Sequence, residues 1–279
     1  MIRIGEVAKR AGVSSEVLRA WERRYDVLHP ERTEGGFRLY GDADVARIRR
    51  MRALIDEGMS AAEAARVVRG APAAAAERPL PLELAETLER ALLGLDATTA
   101  HDAIDALLGA VSVETFLRDA ALPILHRIGD RWAAGEITVA HEHFVTSLVR
   151  GRLIGLARGW DRGSGRHALL ACAPGELHDM GLIAFGLALA RGGWRILYLG
   201  QNTPLDALAS VAHNERIDLV VVSSVDPARF TAAAAELRTV GRHLGLALGG
   251  AGATAELAKK VHARLLPDDP IAAARELAG

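Results

Sequence analysis

The sequence predicts a multidomain chain of α and α/β class, on three observations. The first 70 residues are charged and helical, with a basic second helix. Residues 84–160 carry apolar residues at three- and four-residue spacing with no strand candidate among them. From residue 166 onward, short apolar runs alternate with helical stretches. Apolar recurrence near 3.6 residues marks amphipathic helices, and strands alternating with helices mark a parallel sheet covered on both faces. A length of 279 residues suits two domains or three small ones. The chain is half hydrophobic and a quarter charged, which excludes global disorder.

In the N-terminal block, Ile4–Ala11 reads as a short amphipathic helix ended by Gly12. Val13-Ser14-Ser15 then turns the chain into a second helix, Glu16–Tyr25, which Ser14 or Ser15 can cap. This second helix carries Arg19, Arg23 and Arg24 beside Trp21 and Tyr25, which is helix–turn–helix spacing with a basic helix suited to a major groove. Gly35-Gly36 marks a tight turn in a hairpin-like stretch, with Arg38 and Tyr40 flanking it within reach of phosphates. A helix pair at about 42–57 and 60–69 completes the module. Residues 1–70 hold 14 Lys and Arg against 11 Asp and Glu, and the rest holds 20 against 24. A basic end on an acidic body suits a nucleic-acid head joined to a sensor or an enzyme.

The segments IGEVAKRAGVSSEVLRAWERRY, GGFRLY and DVARIRRMRALIDEGMS, in that order, resemble the MerR family of regulators. The resemblance implies a winged helix–turn–helix head on double-stranded operator DNA, with Arg19, Arg23 and Arg24 from the recognition helix and Arg38 and Tyr40 from the wing. Phosphate contacts would set a salt-dependent affinity. MerR proteins bind two-fold operators as dimers, so a homo-oligomer, dimer or tetramer, is implied. The usual long dimerisation helix is not evident after Arg69, because residues 71–83 form an Ala/Pro-rich linker. Downstream residues are therefore expected to hold the oligomer.

Residues 84–160 read as a small helix bundle. DRGSG at 161–165 breaks it, and the strand candidates HALLACA, WRILYLG, IDLVVVSSV and LGLALGG follow over 166–279. The first runs into Pro174-Gly175-Glu176-Leu177-His178-Asp179-Met180-Gly181. Loops at strand C-termini of an open parallel sheet form the ligand crevice, so His178 is exposed enough there to ligate. Glu176 can bind its far ring nitrogen, fixing the tautomer and raising its basicity, and Gly181 leaves room for a ligand against the backbone. Taken alone, His178 also reads as a plain surface-loop histidine.

These residues together resemble the cobalamin-binding signature Asp-x-His-x-x-Gly, with Glu176 in the Asp place. Ser223-Ser224-Val225 and Gly249-Gly250 stand where that family's later motifs stand. The resemblance implies a Rossmann-like (flavodoxin-like) cobalamin-binding domain with His178 as the lower axial cobalt ligand, in place of the cofactor's own base. The nucleotide tail would run along the sheet past Ser223, Gly249 and Gly250. Cobalamin-binding methionine synthases place a helix bundle before this domain as a cap over the upper corrin face, and residues 84–160 fit that place. Trp132, with Glu142-His143 after nine intervening residues, resembles the signature of CarH/LitR-type light-sensing regulators. That likeness implies adenosylcobalamin, with Trp132 over the upper ligand and Glu142 and His143 at the adenosyl group. It also implies a repressor whose oligomeric state and DNA binding change when light cleaves the cobalt–carbon bond.

Ala133 stands where a CarH-type sensor carries a second, cobalt-capturing histidine. A light-independent sensor of cobalamin or its upper ligand is therefore the alternative, with His141 or His143 as other candidates for that face. A corrinoid methyl carrier and an additional tetrapyrrole chromophore are further alternatives. The chain holds no partner catalytic domain for the former, and for the latter its lone Cys172 falls within a strand. The chain is expected not to be an enzyme. A single cysteine excludes an intrachain disulfide and multi-cysteine metal sites. With no spanning apolar run and no signal-peptide core, a cytoplasmic protein without a membrane partner is expected.

Overall fold

The computed structural model describes residues 2–25, 27–28, 30–32, 38–56, 61–68, 79–162 and 165–278. They fall into two units, 1–76 and 77–279. The first contains β1 (Ile2–Arg3), α1 (Ile4–Ala11), α2 (Ser15–Tyr25), β2 (Glu31–Arg32), β3 (Arg38–Tyr40), α3 (Asp42–Asp56) and α4 (Ala61–Val68). Gly12 ends α1 in the left-handed region, at φ +65°. Arg49 donates to the Arg10 carbonyl and Arg52 to that of Ala11, placing cations at the negative end of α1. A Cβ on Gly12 would meet only the movable end of the Arg52 side chain, so it is the left-handed backbone that calls for glycine here. Ser14, not Ser15, caps α2, its hydroxyl accepting from the Val17 N–H at 3.2 Å. The strands pair antiparallel in the order β1-β3-β2. The expected Gly35-Gly36 turn lies outside the described residues. Val7, Leu18, Trp21, Tyr40, Ile48 and Met51 are among the residues of the core.

The second unit begins with α5 (Leu82–Leu93), so the last two positions assigned to the linker, Leu82 and Glu83, are helical. It continues with α6 (Ala97–Ala110), α7 (Val113–Phe116), α8 (Leu122–Ala133) and α9 (Val139–Leu156). Asp96 caps α6 and Ser112 caps α7. Helix α7 runs into α8 through one π-helical turn, Leu117–Ala121, just ahead of Pro123. Proline has no N–H to donate and crowds the carbonyl four residues back, and a widened turn accommodates both.

The α/β part comprises β4 (His167–Cys172), α10 (Met180–Arg191), β5 (Arg195–Gly200), α11 (Leu205–Asn214) and β6 (Leu219–Ser223). After these come α12 (Pro227–Ala232), α13 (Ala234–His243), β7 (Leu246–Gly249), α14 (Ala255–Lys260), β8 (Arg264–Leu265) and α15 (Pro270–Ala278). All the strands pair in parallel, in the order β5-β4-β6-β7-β8. This is the flavodoxin-like order, with its switch point between β4 and β6. Strand β4 is buried throughout and alternates between two cores. Leu169 and Ala171 face the core that Leu208, Phe230, Leu237 and Ala258 of α11–α14 share. Ala168, Leu170 and Cys172 face a core that continues through α10 and α15 into the helices α5–α9. The bundle is therefore packed into the sheet's own core.

Trp160 seals the seam. Its carbonyl accepts from the Ile196 N–H at 2.7 Å, and its ring lies 5.7 Å from that of Tyr198. A Cβ on Gly186 of α10 would sit 2.7 Å from the Trp160 ring and 2.8 Å from Leu170. Gly186→Val should therefore destabilise the unit 77–279 by about 1–3 kcal/mol through overpacking. In urea denaturation of the whole chain, the transition of this unit should move to lower denaturant while that of the head stays in place.

Candidate functional site

Ligands of open α/β sheets bind outside the carboxyl ends of the strands at the switch point. Glu176, in the loop after β4, is fully buried there. Its Oε1 accepts from the His178 backbone N–H at 2.8 Å and from His178 Nδ1 at 2.7 Å. Its Oε2 accepts from the Ser224 hydroxyl at 2.8 Å and the Val225 N–H at 2.9 Å, both beyond β6. Arg229 Nη1 stands 2.8 Å from Oε1 as an ion pair, outside hydrogen-bond alignment. Burial alone would push the Glu176 carboxyl up, but the His178 N–H, the Ser224 hydroxyl, the Val225 N–H and the His178 ring together bring it down to about 2. The His178 side chain is 70% exposed. With Nδ1 held by a carboxylate, Nε2 is the nitrogen free to ligate.

Gly181, Ser223, Gly249 and Gly250 line one cavity with Phe185 and Leu266. The glycines serve it differently. Nothing lies within 4 Å of a Cβ built on Gly181, so glycine there keeps space open. Gly250 has φ +85°, and a Cβ would approach the Ser224 carbonyl to 2.5 Å, so the backbone itself requires glycine. Ser223 lines the cavity. The adjacent Ser224, which sequence reasoning did not single out, holds Glu176 instead.

Trp132 ends α8 with 48% of its surface exposed. A five-residue loop leads from the end of α8 to α9, which carries Glu142 in its first turn and His143 just after it. Glu142 receives His143 Nδ1 at 2.6 Å and the Thr146 hydroxyl at 2.8 Å. His141 Nδ1 pairs with the Thr138 hydroxyl at 2.8 Å. Leu177 and Val225 are exposed beside His178 and Glu176. An exposed imidazole with a fixed tautomer, apolar side chains around it and a glycine-lined groove fit a large flat metallocycle with an axial histidine and a tail. Among the described residues, no three His, Cys, Asp or Glu gather to hold a metal ion by themselves. Cys172 is buried, and burial, with the Asp179 and Glu176 charges, pushes its thiol up to about 12. At neutral pH it is no nucleophile for attaching a chromophore.

In the head, Arg19 is exposed on α2. The side chains of Arg23 and Arg24 lie outside the described residues. Glu22 accepts from Arg38 Nε at 2.9 Å and from the Tyr40 hydroxyl at 3.1 Å. Arg38 remains 40% exposed. Tyr40 has no exposed surface, and burial together with Glu22 raises its phenol to about 12. The expected phosphate contact by Tyr40 is therefore corrected: its ring belongs to the core, and its hydroxyl ties the β-ribbon to α2.

Residues 2–71 match the family described as MerR HTH family regulatory protein, and residues 84–154 and 166–271 match two families described as B12 binding domain. Fold and site thus define a MerR-type DNA-binding regulator with a cobalamin-binding body. The HTH-type transcriptional repressor CarH of Myxococcus xanthus is 38% identical over 234 residues, 80% of this chain and 78% of that protein. The repressor CarA of the same organism is 34% identical over 227 residues, 80% of this chain and 76% of that protein. The chain belongs to the family of these CarH and CarA regulators. The Methanosarcina barkeri monomethylamine corrinoid protein has the same fold, with a TM-score of 0.60 at 16% identity over 71% of this chain and 98% of that one. Among the described residues, no helix is long and apolar enough to cross a membrane.

Two outcomes are expected. Glu176 is held near 2 against an ordinary 4.5, so its contribution to stability is present above about 4.5 and is lost as pH falls toward about 2. Unfolding free energy plotted against pH should therefore be flatter across that window in Glu176→Gln than in the wild type. In the head, Tyr40→Phe should cost about 1 kcal/mol of stability and leave the salt dependence of DNA binding unchanged. Arg38→Ala should instead lower the salt slope by about one.

Proposed function

We propose that this chain is a transcriptional repressor that holds adenosylcobalamin between its helix bundle and its α/β domain and responds to light. The observation that carries this proposal is the Glu176–His178–Ser224 constellation at the switch point, in one chain with a MerR-type head. His178 Nε2 would hold the cobalt from the side of the α/β domain. Glu176 keeps the proton on Nδ1, and Ser224 and Val225 keep Glu176 in place. Gly181, Ser223, Gly249 and Gly250 admit the nucleotide tail, Trp132 supplies an apolar face to the upper ligand, and Glu142 and His143 supply its hydrogen bonds. When bound, the group supplies a light-labile cobalt–carbon bond. Trp132 and Glu142 contact the upper ligand in only one of the two light states, and such differential contact is what shifts an equilibrium. The equilibrium concerned is assembly of a dimer or tetramer, which brings several heads to one operator and multiplies their avidity. The protein acts in the cytoplasm as a regulator and not as an enzyme.

Ala133 favours a second reading, in which the same pocket senses cobalamin or its upper ligand without light. One experiment separates the two. Protein loaded with adenosylcobalamin in darkness is examined for absorption, mass by size exclusion and operator binding, before and after green light. Loss of the dark oligomer and of operator binding on illumination supports the photoreceptor. An oligomer and DNA binding that depend on cobalamin but not on light support the second reading, and no cobalamin binding overturns both. His178→Ala should weaken adenosylcobalamin binding by about tenfold or more, read by titration in darkness.

A further inference from the structure

Asp179 follows the candidate cobalt ligand, is 1% exposed, and takes no part in the arrangement around Glu176. It sits where three layers meet. Its Oδ2 accepts from Arg150 Nε of α9 at 2.8 Å and from the Tyr198 hydroxyl of β5 at 2.5 Å, while its backbone carbonyl starts α10 by accepting from the Ile183 N–H. We infer that the Arg150–Asp179–Tyr198 cluster is a latch that fixes the height of helix α9 over the His178 loop, and that this height selects the upper ligand the pocket accepts. The inference rests on the cobalamin assignment above and adds positioning residues to it.

Residues four apart share a helix face, so Glu142, Thr146 and Arg150 form one polar row on α9, and Thr146 donates to Glu142 at 2.8 Å. Two turns of helix separate Glu142, at the upper-ligand end, from Arg150, at the lower-ligand loop, a rise of about 12 Å. A shift of α9 moves both ends together. The other contacts of α9 with the body include Val145, Val149 and Leu153 in the common core. Apolar burial is non-directional and alone would let the helix slide. A buried carboxylate with two directional donors does not, because removing one partner strands a charge away from water. Tyr198 is itself held by the Trp160 ring, so the latch stands on the seam between bundle and sheet.

The test uses the full chain in darkness. Dissociation constants for adenosylcobalamin and methylcobalamin are measured on wild type, Arg150→Met, Arg150→Lys, Asp179→Asn and the Arg150→Met/Asp179→Asn pair. Hydrogen exchange of α9 is followed in the cofactor-free protein. The expected result is that Arg150→Met lowers the preference for adenosylcobalamin over methylcobalamin by about tenfold, keeps the spectrum of histidine ligation and speeds α9 exchange. Arg150→Lys should recover part of the preference, and the double variant should fall short of the combined single losses, with folding preserved because no charge is stranded. An unchanged ratio in Arg150→Met, or equal weakening of both cobalamins, overturns the inference. If the wild type binds neither cobalamin, the functional assignment fails on its own. Exchange then still decides the latch, because unchanged α9 protection in Arg150→Met overturns it.

Discussion

A carboxylate without access to water persists in a fold only when its oxygens are taken up by donors. Glu176 imposes that demand at the point where the strand order reverses. The loop after β4 supplies the His178 N–H and ring, the loop after β6 supplies Ser224 and Val225, and α12 brings Arg229. The strand order makes this possible, because β4 and β6 are parallel neighbours with Cys172 opposite Ser223, so both loops leave the sheet side by side. The result is an imidazole whose buried nitrogen is committed and whose other nitrogen faces outward. Chemistry at this site begins from a fixed proton position, not from a choice between tautomers.

Packing supplies the second constraint. One apolar core extends from a face of the sheet through α10 and α15 into α5–α9. The helices that carry Trp132 and Glu142 are therefore anchored by the same buried surface that anchors the His178 loop. Trp132, Glu142 and His178 thus stand on one folded body, their separation set by that core together with the Arg150–Asp179–Tyr198 contact and not left to a linker. The DNA-binding head is a unit of its own, with its own core around Leu18, Trp21 and Tyr40.

Local patterns made much of this legible. The apolar runs located β4 to β7, the Glu-x-His-x-x-Gly spacing located the loop in which Glu176 holds His178, and the order of helices and glycines located the head. What escaped depends on where an element stops or on residues far apart in sequence. Ser223 and Ser224 are interchangeable on paper. Strand β6 ends at Ser223, which sends the next side chain toward Glu176, 48 residues away. Tyr40 looks like a surface contact until Glu22, 18 residues earlier, receives its hydroxyl. Strand β8 has two exposed residues and no apolar run, and only its pairing with β7 reveals it. Arg150 on α9 and Asp179 just ahead of α10 stand 29 residues apart in sequence, and only the fold brings them together.

The π-helical turn at Leu117–Ala121 carries a consequence for the aim of Trp132. A regular α-helix advances about 100° per residue, and the π turn inserts one residue beyond that rhythm. Phe116 before it, Leu117 within it, and Ile124 and Ile128 beyond it are nonetheless buried in the same core. The insertion is thus a phase correction along a single rod. Deleting one residue from the turn would straighten the helix and swing everything beyond it, the indole included, by about 100° about the axis. Which way this tryptophan points is set a dozen residues upstream, by one inserted amino acid in an underwound turn.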